Sequence, residues 1–386
     1  MSGRAHGLRV LVAPDKFKGS LTATQATRAI ATGVLRACPD AQTRCLPVAD
    51  GGDGTTEAAV AAGYQQVDVA VEGPTGQPVS ARIALRGDRA VIEMAEASGL
   101  RRLPGGPEPL TASTFGTGQL ILAALDEGAR HIVLGVGGSA TTDGGAGLAQ
   151  ALGVRLIGPS GRDLPRGGAV LAGLAGIDLS GLDPRLATTQ VVVASDVDNP
   201  LIGPHGAAAV YGPQKGASPR DVATLDAALT RYAEVIRRDV GIDVSATAGG
   251  GAAGGTAAGA MAFLGATVTS GIELILDAIG FADALAGIDL VITGEGSLDA
   301  QSLSGKAPIG VARAASLTGT PVIALVGRLQ VGADALKAVG ISSAHALIDL
   351  EPDLATALRD AEPLLAELAE RVIRSRLGLA GRSTPR

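Results

Sequence analysis

The chain has 386 residues, of which 46% are hydrophobic and 18% are charged. This balance is typical of a globular protein and excludes a chain that is disordered throughout. Acidic residues outnumber basic ones by 38 to 32, and the chain has 3 Tyr, 4 Phe and no Trp. Because the sequence offers neither a basic stripe nor a surface for base stacking, nucleic-acid binding is not expected.

Cysteine, histidine and hydropathy patterns exclude three further classes. Cys38 and Cys45 form no CxxC pair and the four histidines are scattered, so neither a disulfide scaffold nor a zinc site is predicted. Residues 1–18 lack the apolar core of a signal peptide. Residues 245–272 carry no charge but are mostly Gly, Ala and Thr, which favours a buried glycine-rich turn and a short helix over a membrane span. A cytoplasmic protein without membrane contact is predicted.

Apolar runs of strand length alternate with segments of helical period, which predicts an α/β fold with largely parallel sheets. The predicted strands are residues 8–14, 43–48, 131–136, 190–195, 289–293, 321–326 and 344–348. The predicted helices are residues 22–37, 116–127, 147–152, 219–240, 271–286, 308–317 and 354–377, the last interrupted by Pro363, with a frayed tail over 380–386.

The sequence pattern changes between residues 65 and 100. Three β-rich segments, residues 67–71, 79–85 and 89–94, are separated by Gly and Pro turns without crossover helices, which indicates antiparallel strands in a second lobe. Strand and helix alternation resumes near residue 289. We therefore predict two lobes: a discontinuous Rossmann-like domain with a mainly parallel sheet, from residues 1–66 and 288–386, and an inserted mixed α/β domain, residues 67–287.

Loops with carboxylates follow five predicted strands, and four of these loops also contain glycine. These loops are residues 15–20, 50–54, 139–145, 196–199 and 295–299. Because the carboxyl ends of parallel strands line the ligand crevice, the loops are expected to converge. Carboxylates suit Mg²⁺, and glycine-loop N–H groups and lysines suit phosphate oxygens, so the pattern predicts phosphoryl transfer. The alternative for each single loop is that Asp and Gly merely occupy turns and caps.

Two familiar phosphate-binding motifs do not match. Lys306 follows a glycine, but Ala300 and Ala307 stand where a P-loop needs its first Gly and its Ser or Thr, so a P-loop is excluded. Residues 135–140 fit G-x-G-x-x-A after a strand, but no following strand ends in an acidic residue about 20 positions on. An NAD-dependent oxidoreductase of a small hydroxy acid therefore stays open only as an alternative, beside a non-catalytic protein that binds a sugar acid.

Six stretches of sequence, in order, are characteristic of one family. They are VLVAPDKFKGSLTA from Val10, PVADGGDGTTEA from Pro47, TASTFGTGQLI from Thr111, GGSATTDGGAGLAQALG from Gly137, ASDVDNPLIGPHGAAAVYGPQKGA from Ala194 and TGEGSLDAQSLSGKAPIGVA from Thr293. Together they resemble the bacterial glycerate kinase family, of the glycerate 2-kinase type. The resemblance implies ATP-dependent phosphorylation of D-glycerate to 2-phosphoglycerate with Mg²⁺, on two α/β lobes of which one is Rossmann-like and formed by both chain ends.

Four positions depart from the pattern of this family. Lys16 stands where Ser is common, Asp53 where Glu is common, Thr142 where Asn is common, and Ser297 where Arg is common. The exchange of Glu for Asp is chemically mild. The missing Arg removes a contact to phosphate, and Lys16 is expected to supply that charge.

The site hypothesis places ATP, Mg²⁺ and glycerate in a crevice between the lobes. Asp196 is expected to be the general base, with Asp198 as the second choice; Lys18 is expected to contact phosphate, and Glu295 and Asp299 to bind the metal. Further expected substrate- or nucleotide-binding residues are Lys16, Asp50, Asp53, Ser139, Thr141, Asp143, Asn199, Lys215 and Lys306. Two points stay open: whether residues 137–147 hold phosphates or the glycerate carboxylate, and whether Asp50 and Asp53 face substrate or metal. The oligomeric state is not predicted.

Overall fold

The computed structural model describes residues 7–300 and 302–379, which its contacts divide into two units. The first unit is formed by the described residues of 1–50, 57–62 and 272–386, and the second by residues 51–56 and 63–271. The predicted domain boundaries, 66/67 and 287/288, stay predictions beside this division by contacts. The predicted frayed tail, residues 380–386, lies outside the described residues.

Helices and strands alternate along much of the described chain. The strands are β1 Arg9–Val12, β2 Gln42–Cys45, β3 Gln65–Glu72, β4 Pro78–Arg86, β5 Arg89–Glu93, β6 His131–Gly135, β7 Arg155–Ile157, β8 Gly176–Asp178, β9 Gln190–Ala194, β10 Thr267–Thr269, β11 Leu290–Leu298, β12 Val322–Leu329 and β13 Ile341–Ala346. The α-helices are α1 Ala23–Ala37, α2 Thr55–Ala61, α3 Ala95–Ser98, α4 Phe115–Asp126, α5 Ala146–Ala151, α6 Ala207–Tyr211, α7 Pro219–Asp239, α8 Ala252–Leu264, α9 Gly271–Ala278, α10 Phe281–Ala284, α11 Ala307–Ser316, α12 Ala333–Ala338, α13 Leu354–Arg359 and α14 Ala361–Arg376.

The sheet of the first unit is parallel and has the order β13-β12-β11-β1-β2. The central strands β1 and β11 pair in register from Val10 and Leu290, and the side chains of the paired residues, 10–12 and 290–292, are fully buried. Such strands contact protein on both faces, which explains their continuous Val, Leu and Ile runs. The predicted α/β class with a mainly parallel sheet is confirmed here.

The sheet of the second unit is mixed and has the order β10-β9-β6-β5-β4-β3. The strands β5, β6, β9 and β10 run parallel, whereas β3, β4 and β5 pair antiparallel, as the Gly and Pro turns between residues 65 and 100 predicted. The strands β7 and β8 form a separate antiparallel pair. The sequence missed β7, β8 and β10 because three residues are too few to show a period of two.

One predicted loop is in fact a strand. The sequence placed residues 295–299 in a loop after a strand ending at 293, but β11 continues to Leu298, with Glu295 opposite Val326 and Ser297 opposite Arg328 of β12. The glycines at 294 and 296 suggested a turn, yet the parallel ladder continues through them. Glu295 is therefore fixed by sheet pairing rather than by a loop.

Predicted helices are confirmed where the sequence contains clear helix-capping residues. Helix α7 begins after Ser218, whose side chain accepts a hydrogen bond from the backbone N–H of Asp221 in a capping box. The predicted C-terminal helix divides into α13 and α14, and Pro363 lies in the first turn of α14, where its missing N–H costs nothing. Within the described residues, no helix is both long and apolar enough to span a bilayer.

Helices α1 and α14 approach each other closely in the first unit. Gly33 of α1 is the point of contact, because a Cβ atom there would lie 2.1 Å from the carbonyl oxygen of Ala366 and 2.7 Å from the Cβ of Ala369. Both helices cover the same core, which includes Val34 and Leu365. The absence of a side chain at position 33 therefore sets the distance between the two helices.

Replacing Gly33 by Ala is expected to destabilise the protein by about 1–3 kcal/mol, because the added methyl group meets backbone atoms that cannot move without shifting a helix. Chemical denaturation followed by circular dichroism measures the change. Thr32→Ala, at the exposed neighbouring position of the same helix, serves as the control and should change the free energy of unfolding by no more than about 0.5 kcal/mol. Equal effects of the two substitutions would contradict the proposed close contact.

Candidate functional site

Three carboxylates lie at the carboxyl ends of neighbouring strands in the first unit. Asp15 follows β1, Asp50 follows β2, and Glu295 lies in the last half of β11. The backbone N–H of Asp15 donates to the carbonyl oxygen of Gly294 over 2.8 Å, which ties the loop after β1 to β11. Asp15 and Glu295 are buried and Asp50 is partly buried. The parallel sheet thus gathers three acidic side chains at one edge.

The charges of this cluster are poorly compensated by the protein around it. Burial raises the pKa of Asp15 to about 7; the ammonium of Lys16, 3.7 Å away, opposes the rise, and the charges of Asp50 and Glu295 add to it. Burial also raises the pKa of Glu295, against the effects of Ser302 and Lys306. Mutual repulsion of carboxylates in a place of low polarity is the condition that a bound cation relieves.

The two predicted metal ligands differ in what their oxygens do. The Oε1 atom of Glu295 is buried and has no hydrogen-bond partner. The Oδ1 atom of Asp299, in contrast, accepts hydrogen bonds from the backbone N–H of Ser302 at 3.0 Å and from its hydroxyl at 3.3 Å. Glu295 therefore has an oxygen suited to a cation, whereas the carboxylate of Asp299 holds the turn that precedes α11.

The donor set of the cluster fits Mg²⁺. Among residues 7–300 and 302–379, no three His, Cys, Asp or Glu side chains are arranged to hold a metal ion by themselves. Mg²⁺ does not need such a cage, because it is commonly bound by one or two carboxylates together with substrate phosphates and water. The buried, unpartnered oxygen of Glu295, with Asp15 and Asp50 nearby, meets that requirement.

The predicted phosphate-binding lysines of the first unit surround this cluster. Lys16 is partly buried against Asp15, and Lys306 directly precedes α11 and lowers the pKa of Glu295 by its charge. Lys18 is exposed, and its backbone nitrogen lies against Gly296, next to Glu295 in β11. Lys16 and Lys306 therefore place positive charge beside the acidic cluster, and the backbone of Lys18 lies against the strand that carries Glu295.

In the second unit, three loops meet at the carboxyl edge of the parallel strands. The backbone N–H of Gly137, after β6, donates to the carbonyl oxygen of Gly51 over 3.1 Å. A Cβ atom at position 137 would lie only 2.4 Å from the Cα of Gly52, and one at position 51 would lie 2.8 Å from the carbonyl oxygen of Ala194 in β9. The five predicted loops thus fall into two groups, one in each unit.

The loop of residues 139–145 is buried, and the carboxylate of Asp143 holds it in place. The carboxylate of Asp143 accepts hydrogen bonds from the backbone and hydroxyl of Thr114 at 2.8 and 2.9 Å, and from the N–H groups of Gly145 and Gly147 at 3.2 Å each. Burial raises its pKa, against these hydrogen bonds. Ser139 and Thr141 are also buried. Asp143 therefore positions the loop.

Lys215 braces the same loop from inside. Its side chain is 1% exposed, and its ammonium donates to the carbonyl oxygen of Thr141 over 2.6 Å. Burial lowers the pKa of Lys215 to about 7, against the opposing charge of Asp143. An ammonium this deeply buried holds the loop from the protein interior and does not face solvent.

The loop after β9 presents two exposed carboxylates. The Oδ1 atom of Asp196 accepts a hydrogen bond from the backbone N–H of Gly271 over 2.9 Å, and Asp198 lies near Tyr211, whose pKa is raised by burial and then by that charge. Asn199 donates to the carbonyl oxygen of His205 and accepts from the hydroxyl of Tyr211. Asn199 therefore holds the loop, while Asp196 and Asp198 remain accessible.

Glu93, at the end of β5, is a residue that the sequence analysis missed. Its Oε2 atom accepts hydrogen bonds from the N–H groups of Gly54 at 3.0 Å and Thr56 at 3.4 Å, and its Oε1 atom accepts from Arg101 at 3.2 Å. The same guanidinium lies 3.2 Å from Asp53. The available signal is a carboxylate within a predicted strand, residues 89–94, that no glycine loop follows directly.

A cavity of about 390 Å³ lies beside these residues in the second unit. It is lined by Asp68, Ser80, Arg82, Glu96, Arg101 and Arg102. Burial alone would raise the pKa of Glu96, but hydrogen bonds and charges from Arg82 and Arg102 lower it below its usual value. Glu96 is thus already paired with two arginines, unlike Glu93.

Comparisons with known proteins cover almost the whole chain. The model of the glycerate kinase family matches residues 10–377. A protein named glycerate kinase from Halalkalibacterium halodurans is 49% identical, over 94% of this chain and 97% of that protein. One named glycerate 2-kinase from Escherichia coli K12 is 44% identical, over 92% and 94%. The crystal structure of a candidate glycerate kinase 2 from Salmonella typhimurium LT2 matches with a TM-score of 0.84 at 45% identity, over 97% and 99%.

Replacing Asp15 by Asn is expected to raise the free energy of unfolding at pH 8. The pKa of Asp15 is about 7 in the folded protein and near 3.8 when the chain is unfolded, so the folded state binds this proton more tightly. The ionised carboxyl therefore opposes folding increasingly as the pH rises from about 4 to about 7. The expected gain at pH 8 is on the order of 2–4 kcal/mol, shrinking towards zero near pH 4.

Urea denaturation of both proteins at pH 4.5 and pH 8 measures this difference. Asp334→Asn, at an exposed position of the same unit, is the control and should change stability by no more than about 0.5 kcal/mol at either pH. A destabilised Asp15→Asn protein at pH 8 would show that the carboxylate is stabilised by its surroundings, contrary to the raised pKa.

Proposed function

Because the chain belongs to the glycerate kinase family and is a kinase, as its loops suggested, we propose that it phosphorylates the 2-hydroxyl of D-glycerate with ATP and Mg²⁺. The observation that carries this proposal is the cluster of desolvated carboxylates in the first unit, in which Glu295 has a buried oxygen without a partner. The choice of the 2-hydroxyl is supported by the relative named glycerate 2-kinase.

The residues that would hold Mg²⁺ are Glu295 together with Asp15 or Asp50. Bound there, the ion would neutralise charge on the phosphate oxygens of ATP. Lys16, Lys18 and Lys306 would balance the phosphate charge that remains. Asp299, predicted as a metal ligand, has a positioning role in this proposal because its carboxylate is bonded to Ser302.

Asp196 is proposed to accept the proton of the glycerate hydroxyl. Its carboxylate is exposed and is oriented by the N–H of Gly271, so a substrate can reach it without a rearrangement of the chain. As the proton moves to Asp196, the glycerate oxygen forms a bond to the γ-phosphorus of ATP, and the bond from that phosphorus to the β,γ-bridging oxygen breaks, which releases ADP. Asp198 is the second choice for this role.

The glycerate carboxylate and the nucleotide phosphates need hydrogen-bond donors in a fixed geometry. The N–H groups of Gly137, Ala140, Gly144 and Gly145 donate within the protein. The other backbone N–H groups of residues 137–145, held by Asp143 and Lys215, are proposed to supply donors to one of these anions. Asp53 and Ser139 lie on the same edge of the second unit. The cytoplasm as the compartment of the reaction remains part of the proposal. Membership in a kinase family disfavours the oxidoreductase and the non-catalytic alternatives.

A coupled assay of ADP release with ATP, Mg²⁺ and D-glycerate, with the product identified by ³¹P NMR, tests the proposed function. The expected product is 2-phosphoglycerate. Asp196→Asn should lower kcat by about 10²–10⁴-fold, because the amide cannot accept the proton. Asp198→Asn, on the same exposed loop, is the matched comparison and should retain most of the activity.

Each contrary result overturns a different part of the proposal. A 3-phosphoglycerate product would contradict the choice of hydroxyl, and loss of activity in Asp198→Asn alone would transfer the base to that residue. A folded wild-type protein that turns over no glycerate with any nucleoside triphosphate would refute the function.

A further inference from the structure

The segment Gly51–Thr56 has few side chains with which to hold itself in place. It belongs to the second unit by its contacts, whereas the residues before and after it, Asp50 and Glu57, belong to the first. Three of its six residues are glycines. The segment carries Asp53, and its position in the second unit therefore depends on what binds its backbone.

We propose that Glu93 is a positioning residue for the kinase reaction, which fixes the segment Gly51–Thr56 and the carboxylate of Asp53 through direct hydrogen bonds and through Arg101. This inference rests on the proposed function. No part of it requires Glu93 to touch a substrate, since its side chain is only 1% exposed.

The geometry gives Glu93 two distinct connections to the segment. One carboxylate oxygen accepts N–H groups from Gly54 and Thr56, on either side of the start of α2. The other accepts from Arg101, whose guanidinium contacts Asp53 at 3.2 Å. A single buried carboxylate thus contacts the backbone of the segment directly and its acidic side chain through Arg101.

The charge environment of Glu93 makes its ionised form costly for folding. Burial raises its pKa to about 7, the charges of Glu96 and Asp53 add to the rise, and Arg101 and the N–H of Thr56 oppose it. An ionised group with a raised pKa opposes folding at neutral pH. Such a cost is typical of residues that serve activity rather than stability.

Glu96, in α3, provides a matched control for Glu93, at the end of β5. It is also buried, it also accepts hydrogen bonds from arginines, and it lies three residues further along the chain. Its partners are Arg82 and Arg102, and neither of these hydrogen bonds reaches the segment Gly51–Thr56. If the loss of any buried carboxylate from residues 93–96 disturbed the protein, Glu93→Gln and Glu96→Gln would show the same effect.

The test compares these two variants with the wild-type protein in kinetics and in amide hydrogen exchange. Glu93→Gln is expected to fold, to exchange the amides of residues 51–56 at least about tenfold faster, and to lower kcat/KM for glycerate by about 10–100-fold. Glu96→Gln should leave exchange in residues 51–56 and kcat/KM within about twofold of wild type. Between pH 6 and 8, protection of this segment, corrected for intrinsic exchange, should change in the wild type and not in Glu93→Gln.

Unchanged exchange across residues 51–56 in Glu93→Gln, or equal effects of both variants, would overturn the inference. If Glu93→Gln fails to fold, Arg101→Gln replaces it in the test, because the side chain of Arg101 is exposed. Unchanged exchange of the Asp53 amide in Arg101→Gln would then overturn the inference. Wild-type turnover of glycerate tests the proposed function separately, because the exchange measurement needs no substrate.

Discussion

Removal of carboxylates from water at the ends of parallel strands is the constraint on which the rest of this structure depends. Asp15 and Glu295 in the first unit and Glu93 in the second are all buried, and burial raises the pKa of each. A parallel sheet delivers such residues to one edge because its strands all end on the same side. The buried carboxylates lower the stability of the fold. They also make the acidic edge of the first unit complementary to a cation and to the phosphates that a cation accompanies.

In the second unit, glycines and buried polar groups shape the carboxyl edge of the parallel strands. The approach of Gly137 to Gly51 and Gly52 leaves no room for a side chain, so backbone groups form the surface between β6 and the segment Gly51–Thr56. Asp143 and Lys215 hold the neighbouring loop, residues 139–145, through hydrogen bonds. In the proposed reaction, such support would order the backbone N–H groups before an anion binds.

Sequence patterns predicted much of the fold, because strand and helix periods and helix caps are local signals. The helix after Ser218 and the strands β1, β6 and β9 are examples. The patterns also pointed to acidic strand ends, but they could not separate Glu295, with an unpartnered oxygen, from Asp299, whose carboxylate is bonded to Ser302. The burial of Lys215 and the contacts of Glu93 depend on residues distant along the chain, which no local pattern encodes.

The most direct test of the acidic edge as a cation site is a carboxyl ¹³C NMR titration of the wild-type protein, with the Asp15 signal assigned by its loss in Asp15→Asn. Without Mg²⁺, the pKa of Asp15 should lie near 7. Saturating Mg²⁺ should lower it by at least about one unit, because a nearby cation favours the ionised carboxyl. A pKa near 4 that does not respond to Mg²⁺ would contradict the account.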